Sequence, residues 1–244
     1  MKYIIVCFLL FTISIYSQSG IITYDVRVEK QSEEVPKEFS EILKKSLDHA
    51  NSQKFELTFN KNISRFVSIQ KAGLDNDYDK QAEILARLAF STGSDFFYDK
   101  NLETEIEQKG DGTLIKTIKS YTKWDITSES KSISNYLCYK ALLEITFVNR
   151  KGISGINTII AWFAPSLPFT FGPKNFYGLP GLILELHENK TTYLVTKIVL
   201  SSKEIKIDFP EGKTISKEEY DKKLEASMGG VIIGKKREKE KNSQ

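Results

Sequence analysis

Cysteine and histidine are scarce in this chain, whose 244 residues hold two of each. Cys7 lies in the N-terminal apolar run, so Cys138 is the single thiol beyond that run and cannot form a disulfide within the chain. His49 and His187 have no neighbouring His or Cys in sequence, so the ligand clusters that transition metals need are missing and neither metal nor cofactor is expected. No Gly-x-Ser-x-Gly elbow, phosphate loop or dinucleotide fingerprint occurs. Asp75, Asp77 and Asp79 alternate as in a calcium loop, but the downstream glycine and glutamate are lacking, and acidity at a helix start explains them at least as well. Charge of one sign is also in short supply. The net +3 is carried by the tail, where Lys235 to Lys241 hold five basic and two acidic residues. A near-neutral body excludes a nucleic-acid binder with a broad basic face.

What is present at the N-terminus is a signal-peptide pattern: Lys2, an apolar stretch from Tyr3 to Ile15, then Ser17-Gln18-Ser19-Gly20. The stretch is shorter than the ~20 residues of a membrane span. Cys7 sits inside it rather than at its end, which argues against a lipid anchor. The pattern predicts a signal peptide over 1–17, a single domain over 18–230 and a basic, solvated tail over 231–244. No transmembrane segment is expected after cleavage, and the destination is the periplasm, the outer cell envelope or the medium. Export favours disulfides, so a chain without one must rely on packing, for which a hydrophobic share of 40% suffices.

Three segments carry helical period. They are 35–51 with Phe39, Ile42, Leu43 and Leu47 on one face and Pro36 at the first turn, 76–90 with Tyr78, Ala82, Leu85 and Ala89, and a third opening on the capping box Ser216 to Glu219. Ten strands are expected at 20–28, 54–60, 63–70, 95–100, 103–108, 113–120, 142–148, 157–163, 182–188 and 193–200. Asp111-Gly112 marks a hairpin turn. In 182–188, Leu182, Leu184 and Leu186 alternate with Ile183, Glu185 and His187. The fold class is α+β and β-dominated: a curved antiparallel sheet, half-barrel-like, with two or three covering helices. Analogy alone links that shape to periplasmic lipoprotein carriers.

Residues 164–181 stand apart. They hold four of the six prolines (Pro165, Pro168, Pro173, Pro180), three glycines (Gly172, Gly178, Gly181) and four aromatics (Phe169, Phe171, Phe176, Tyr177). Proline denies the stretch a regular ladder, yet it is too apolar for a floppy linker, and long structureless connections inside domains are often functional. Gly178 and Gly181 would permit positive φ on either side of Leu179-Pro180.

Gly178-Leu179-Pro180-Gly181-Leu182-Ile183 resembles the hexapeptide that names the GLPGLI family of exported proteins from Gram-negative bacteria. The surroundings support it: Ala161-Trp162-Phe163, Pro165, Pro168 and Gly172-Pro173, with Cys138-Tyr139-Lys140-Ala141 and Trp124 upstream. The resemblance covers about 120–190 and implies no activity or catalytic residues. Phe176-Tyr177 departs from the glycine turn expected before the motif.

The loop is therefore read either as a rigid plug or as a site. The favoured function is a non-enzymatic envelope protein that binds a partner protein or an apolar ligand through Trp162, Phe169, Phe171, Phe176 and Tyr177, its motif residues serving as a structural turn. A cysteine-dependent hydrolase or redox enzyme using Cys138 with His187, and a purely structural envelope protein, are the alternatives.

Overall fold

The computed structural model describes residues 19–29, 37–69, 77–118, 123–148 and 153–227. The expected signal peptide, the basic tail, Pro36, Asp75 and the side chains of Phe39, Asp77, Tyr78 and Asp79 lie outside the described part. In chain order the elements are β1 (Ser19–Val28), α1 (Lys37–Ser52), β2 (Lys54–Phe59), β3 (Ile63–Ile69), α2 (Asp77–Phe90), β4 (Asp95–Asp99), β5 (Thr104–Gln108), β6 (Leu114–Ile118), β7 (Asp125–Ile133), β8 (Tyr136–Val148), β9 (Ser154–Ala164), β10 (Leu182–Glu188), β11 (Thr191–Ser201), β12 (Thr214–Ser216) and α3 (Lys217–Ala226).

Among the described residues one open sheet of twelve strands runs in the order β12-β6-β5-β4-β3-β2-β1-β11-β10-β9-β8-β7. Neighbours pair antiparallel, except that β12 lies parallel to β6, so the sheet is mixed. The expected β5–β6 turn forms: Gly112 has φ +85° and donates to Lys109 O, while Asp111 Oδ1 accepts the Thr113 amide.

Alternation decides which face is dry. Ile22, Tyr24 and Val26 of β1, Phe55, Leu57 and Phe59 of β2, and Tyr193 and Val195 of β11 fall in register into one buried cluster with Ala161 and Phe163 of β9. Phe55 stacks on Phe66, and Tyr193 meets both edge-on. Each such side chain contributes ~1.5–3 kcal/mol by leaving water. In β10 the simple alternation fails. The register slips between Ile183 and Glu185 as it passes β9, so Leu184 is the extra residue of a bulge, and Leu182, Ile183, Leu184 and Leu186 are all buried.

α1 and α2 pack on each other, and α1 on β1. Ala50, Ala86 and Phe90 make a second cluster with Leu43, Leu47 and Val28. The buried line of α2 is thus Ala82, Ala86 and Phe90 rather than the expected Leu85 and Ala89, because small residues let it lie close on α1. Ile84 and Leu88 consequently face outward. α3 starts on the expected cap, the Ser216 hydroxyl accepting the Glu219 amide at 3.1 Å, while the Glu219 carboxylate pairs with Lys223.

Beyond the last β7 rung (Asp125 opposite Leu142) and the last β10 rung (His187 opposite Ile160), β8 and β9 continue as a two-stranded arm. Ile145, Phe147 and Ile156 are exposed on it.

Candidate functional site

The chain leaves β9 at Ala164 and re-enters the sheet at Leu182, its rung partner, so residues 164–181 form a closed loop with a narrow neck. Inside the neck the backbone satisfies itself. Leu182 N–H donates to Leu167 O (2.9 Å), Ile183 N–H to Phe171 O (3.0 Å) and Gly178 N–H to Thr170 O (2.8 Å). The two motif glycines work differently. Gly178 adopts φ +95°, as a turn glycine should, whereas the Gly181 φ lies outside the positive range. A Cβ at Gly181 would stand 2.3 Å from Ala164 O, so close approach at the neck is what demands glycine there.

The loop's aromatic rings point into the core. Phe169 packs on Phe59 (4.4 Å between centroids), and Phe171, 1% exposed, lies between Phe59 and Tyr98. Phe176 meets Trp124, and Tyr177 stacks on Tyr98 of β4 at 3.7 Å. Asn175 Nδ2 reaches Glu105 Oε1 of β5 at 3.5 Å, while Trp124, just before β7, donates its indole N–H to Tyr177 O at 2.9 Å. Burial, aided by the nearby Glu105, pushes the Tyr177 phenol well above its ordinary range. Trp162 is half-buried on β9 with the Lys131 ammonium 4.2 Å above its ring, and Glu185 holds that ammonium at 2.8 Å. Of the expected site residues, Phe169, Phe171, Phe176 and Tyr177 are therefore gathered together but committed to packing, and Trp162 is capped by a cation.

Cys138 and His187 are not brought together. His187 shares a line of rungs with Ile160 and Leu142, and Cys138 lies four residues further along β8, ~13 Å at strand rise. Burial pushes the Cys138 thiol up to about 11, the reverse of nucleophile activation. His187 Nδ1 is within 2.9 Å of the Thr192 hydroxyl. Among the described residues no group of three or more His, Cys, Asp or Glu is placed to hold a metal ion, and no helix is long and apolar enough to cross a membrane.

Beside the loop opens a cleft of ≈ 520 Å³ that sequence reading did not find. Ile84, Arg87 and Leu88 of α2 form one wall, Phe96, Glu107 and Lys109 the sheet side, and Lys174 of the loop and Tyr220 of α3 the rim. Gly93 lines it, with no atom within 4 Å of where its Cβ would be. Three cations face it, each held by a carboxylate: Arg87 by Glu83, Lys109 by Glu107 and Lys174 by Glu188. The one signal in the sequence was Ile84 and Leu88, an apolar pair one turn apart on the outer face of α2.

Residues 148–185 match the model of a family described as a protein of unknown function, Porph_ging. The matched stretch runs from the end of β8 through β9 and the whole loop into β10. No curated protein matches the chain. Two crystal forms of PNGF-II share its fold, with TM-scores of 0.51 and 0.50 at 17% and 16% identity. Each comparison covers 84% of this chain and 33% or 32% of the PNGF-II chain, so the chain spans about a third of the length of those structures.

Proposed function

We propose that this chain is an exported cell-envelope protein of GLPGLI type that binds rather than catalyses, and that the cleft beside the loop takes the ligand or partner. In this reading the loop is the rigid plug of a half-barrel. One observation carries it: Tyr177 stacks on Tyr98 of β4 and its carbonyl accepts a hydrogen bond from Trp124, the residue before β7. Those strands stand eight places apart in the sheet order, ~38 Å if the sheet were flat. Contact of both with one residue supports a sheet that curls around its plug. The family resemblance centres on that plug, and the family match over 148–185 contains the hexapeptide. Export to the periplasm or outer envelope rests on the N-terminal pattern.

Ligand pockets commonly enclose ~300–1,000 Å³, and the cleft falls in that range with an apolar wall and a few fixed polar groups. The distance between Cys138 and His187, with the raised thiol, speaks against the cysteine enzyme. The test is to recover the mature protein from its native envelope and identify by mass spectrometry what accompanies it, for the wild type and for Gly93→Trp, which fills the cleft from an open position. Loss of a bound species in the variant is the expected result. The same species on both proteins, or none on either, overturns the reading.

A further inference from the structure

We infer that the cleft accepts an amphiphilic anion, a carboxylate or phosphate head on an apolar body; the inference rests on the binding reading above and names the ligand class. The lining divides into two chemistries. Leu88 is 78% exposed and Ile84 57%, and both line the space together with Phe96 and Tyr220. Apolar side chains on an outward helix face lose nothing by gaining an apolar neighbour, and each CH₂ covered contributes ~0.8 kcal/mol.

The remaining lining is rich in donors. Arg87 gives one N–H each from Nε and Nη2 to Glu83, which leaves three of its five N–H donors uncommitted, two of them on Nη1. Lys109 gives one hydrogen bond to Glu107 at 2.6 Å and rests 5.2 Å from the Tyr220 ring centre. Lys174 pairs with Glu188 and lies near the Phe176 ring. Each ammonium has three donors, so both retain spare ones. The three cations are only 22%, 25% and 14% exposed, and at such sites a charge-assisted hydrogen bond is stronger than in open water. Their carboxylate partners neutralise the neighbourhood and fix where the donors point. What the cleft offers is a pre-oriented donor set beside a bare apolar wall. An acceptor-rich anionic head with a hydrocarbon body satisfies both halves; a neutral apolar molecule leaves the donors uncovered, and a bare anion leaves the wall wet. Lys174 also holds φ +55°, a conformation costly for a residue with a side chain and often found at ligand clamps.

Isothermal titration of the mature protein below micellar concentrations, using dodecanoate, dodecyl phosphate, 1-dodecanol and acetate, tests the inference. Dodecanoate or dodecyl phosphate is expected to bind, with 1-dodecanol at least tenfold weaker and acetate giving no heat. The tighter of the two anions identifies the head. Arg87→Gln and Lys109→Gln should each weaken the anion at least fivefold and leave 1-dodecanol unchanged, and Leu88→Glu should abolish both, in variants with wild-type near-ultraviolet circular dichroism. Equal binding of 1-dodecanol and the anions, insensitive to Arg87→Gln, overturns the headgroup inference while the binding reading stands. If all four probes fail and the species recovered from the native envelope survives Gly93→Trp, both fall.

Discussion

Replacing Gly181 by Ala puts a methyl group 2.3 Å from Ala164 O, 2.6 Å from Ala164 C and 2.9 Å from Pro165 N. All three are backbone atoms, so no side-chain rotation relieves the clash. Restoring an ordinary 3.4 Å contact requires a shift of about 1 Å at the neck. That shift pulls apart the Leu182–Ala164 rung and the Leu182 N–H to Leu167 O bond. One or two hydrogen bonds at ~1 kcal/mol each and overpacking of ~1–3 kcal/mol sum to a loss of ~2–5 kcal/mol, about 10 °C in Tm for a domain of this size. Two other glycines calibrate the result. Gly178→Ala imposes φ +95° on a residue with a Cβ but meets no atom within 4 Å, and should cost ~1–2 kcal/mol. Gly93→Ala meets nothing and lacks the positive φ, and should fall within ~0.5 kcal/mol of wild type. Urea unfolding followed by near- and far-ultraviolet circular dichroism reads all three at constant m. A Gly181→Ala protein as stable as Gly93→Ala would refute the tight neck and the fixed loop that depends on it.

Phe171→Ala removes a ring packed between Phe59 and Tyr98 and should cost ~3–5 kcal/mol by urea unfolding, with a cost below ~1 kcal/mol contradicting its burial. Iodoacetamide should label Cys138 in native protein at pH 8 at least tenfold more slowly than in urea, because burial both shields the thiol and holds it protonated; equal rates would contradict that burial. Lys131→Ala uncovers the Trp162 ring and should raise quenching of tryptophan fluorescence by acrylamide, a neutral quencher indifferent to the lost charge, an increase that Trp162→Phe abolishes. Ile156→Lys on the exposed arm should stay within ~0.5 kcal/mol of wild type by urea unfolding, since its side chain is 61% exposed, and a cost above ~1 kcal/mol would contradict that exposure.

Much of the fold was legible because burial imposes periods. Ten strands, three helices and the Asp111-Gly112 turn follow from alternation, helical spacing and turn chemistry. What escaped did so for physical reasons. β7 reads Asp125-Ile-Thr-Ser-Glu-Ser-Lys-Ser-Ile133, too polar to show a buried face, because it is a sheet edge and its partner β8 supplies the order. Nothing local marks the Leu184 bulge, which arises from how β10 meets β9. The α2 face was misassigned because leucine outranks alanine in hydrophobicity, whereas close helix packing favours the small residue. Parallel pairing of β12 depends on a long excursion from β11, which three residues cannot announce.

The loop shows the division most clearly. Its composition announced rigidity, and Gly178 takes the expected turn, but whether its rings faced a ligand or the core depends on strands from both wings of the sheet. The cleft was illegible because Arg87, Lys109, Lys174 and Tyr220 meet there from four separate elements.

Native-state amide hydrogen exchange tests most directly whether the loop is held fixed by the residues it packs on. The amides of Gly178, Leu182 and Ile183, which donate to Thr170, Leu167 and Phe171, are expected to exchange as slowly as those of β1 and to open only with global unfolding. Exchange at those amides near free-peptide rates, while β1 stays protected, would contradict the account.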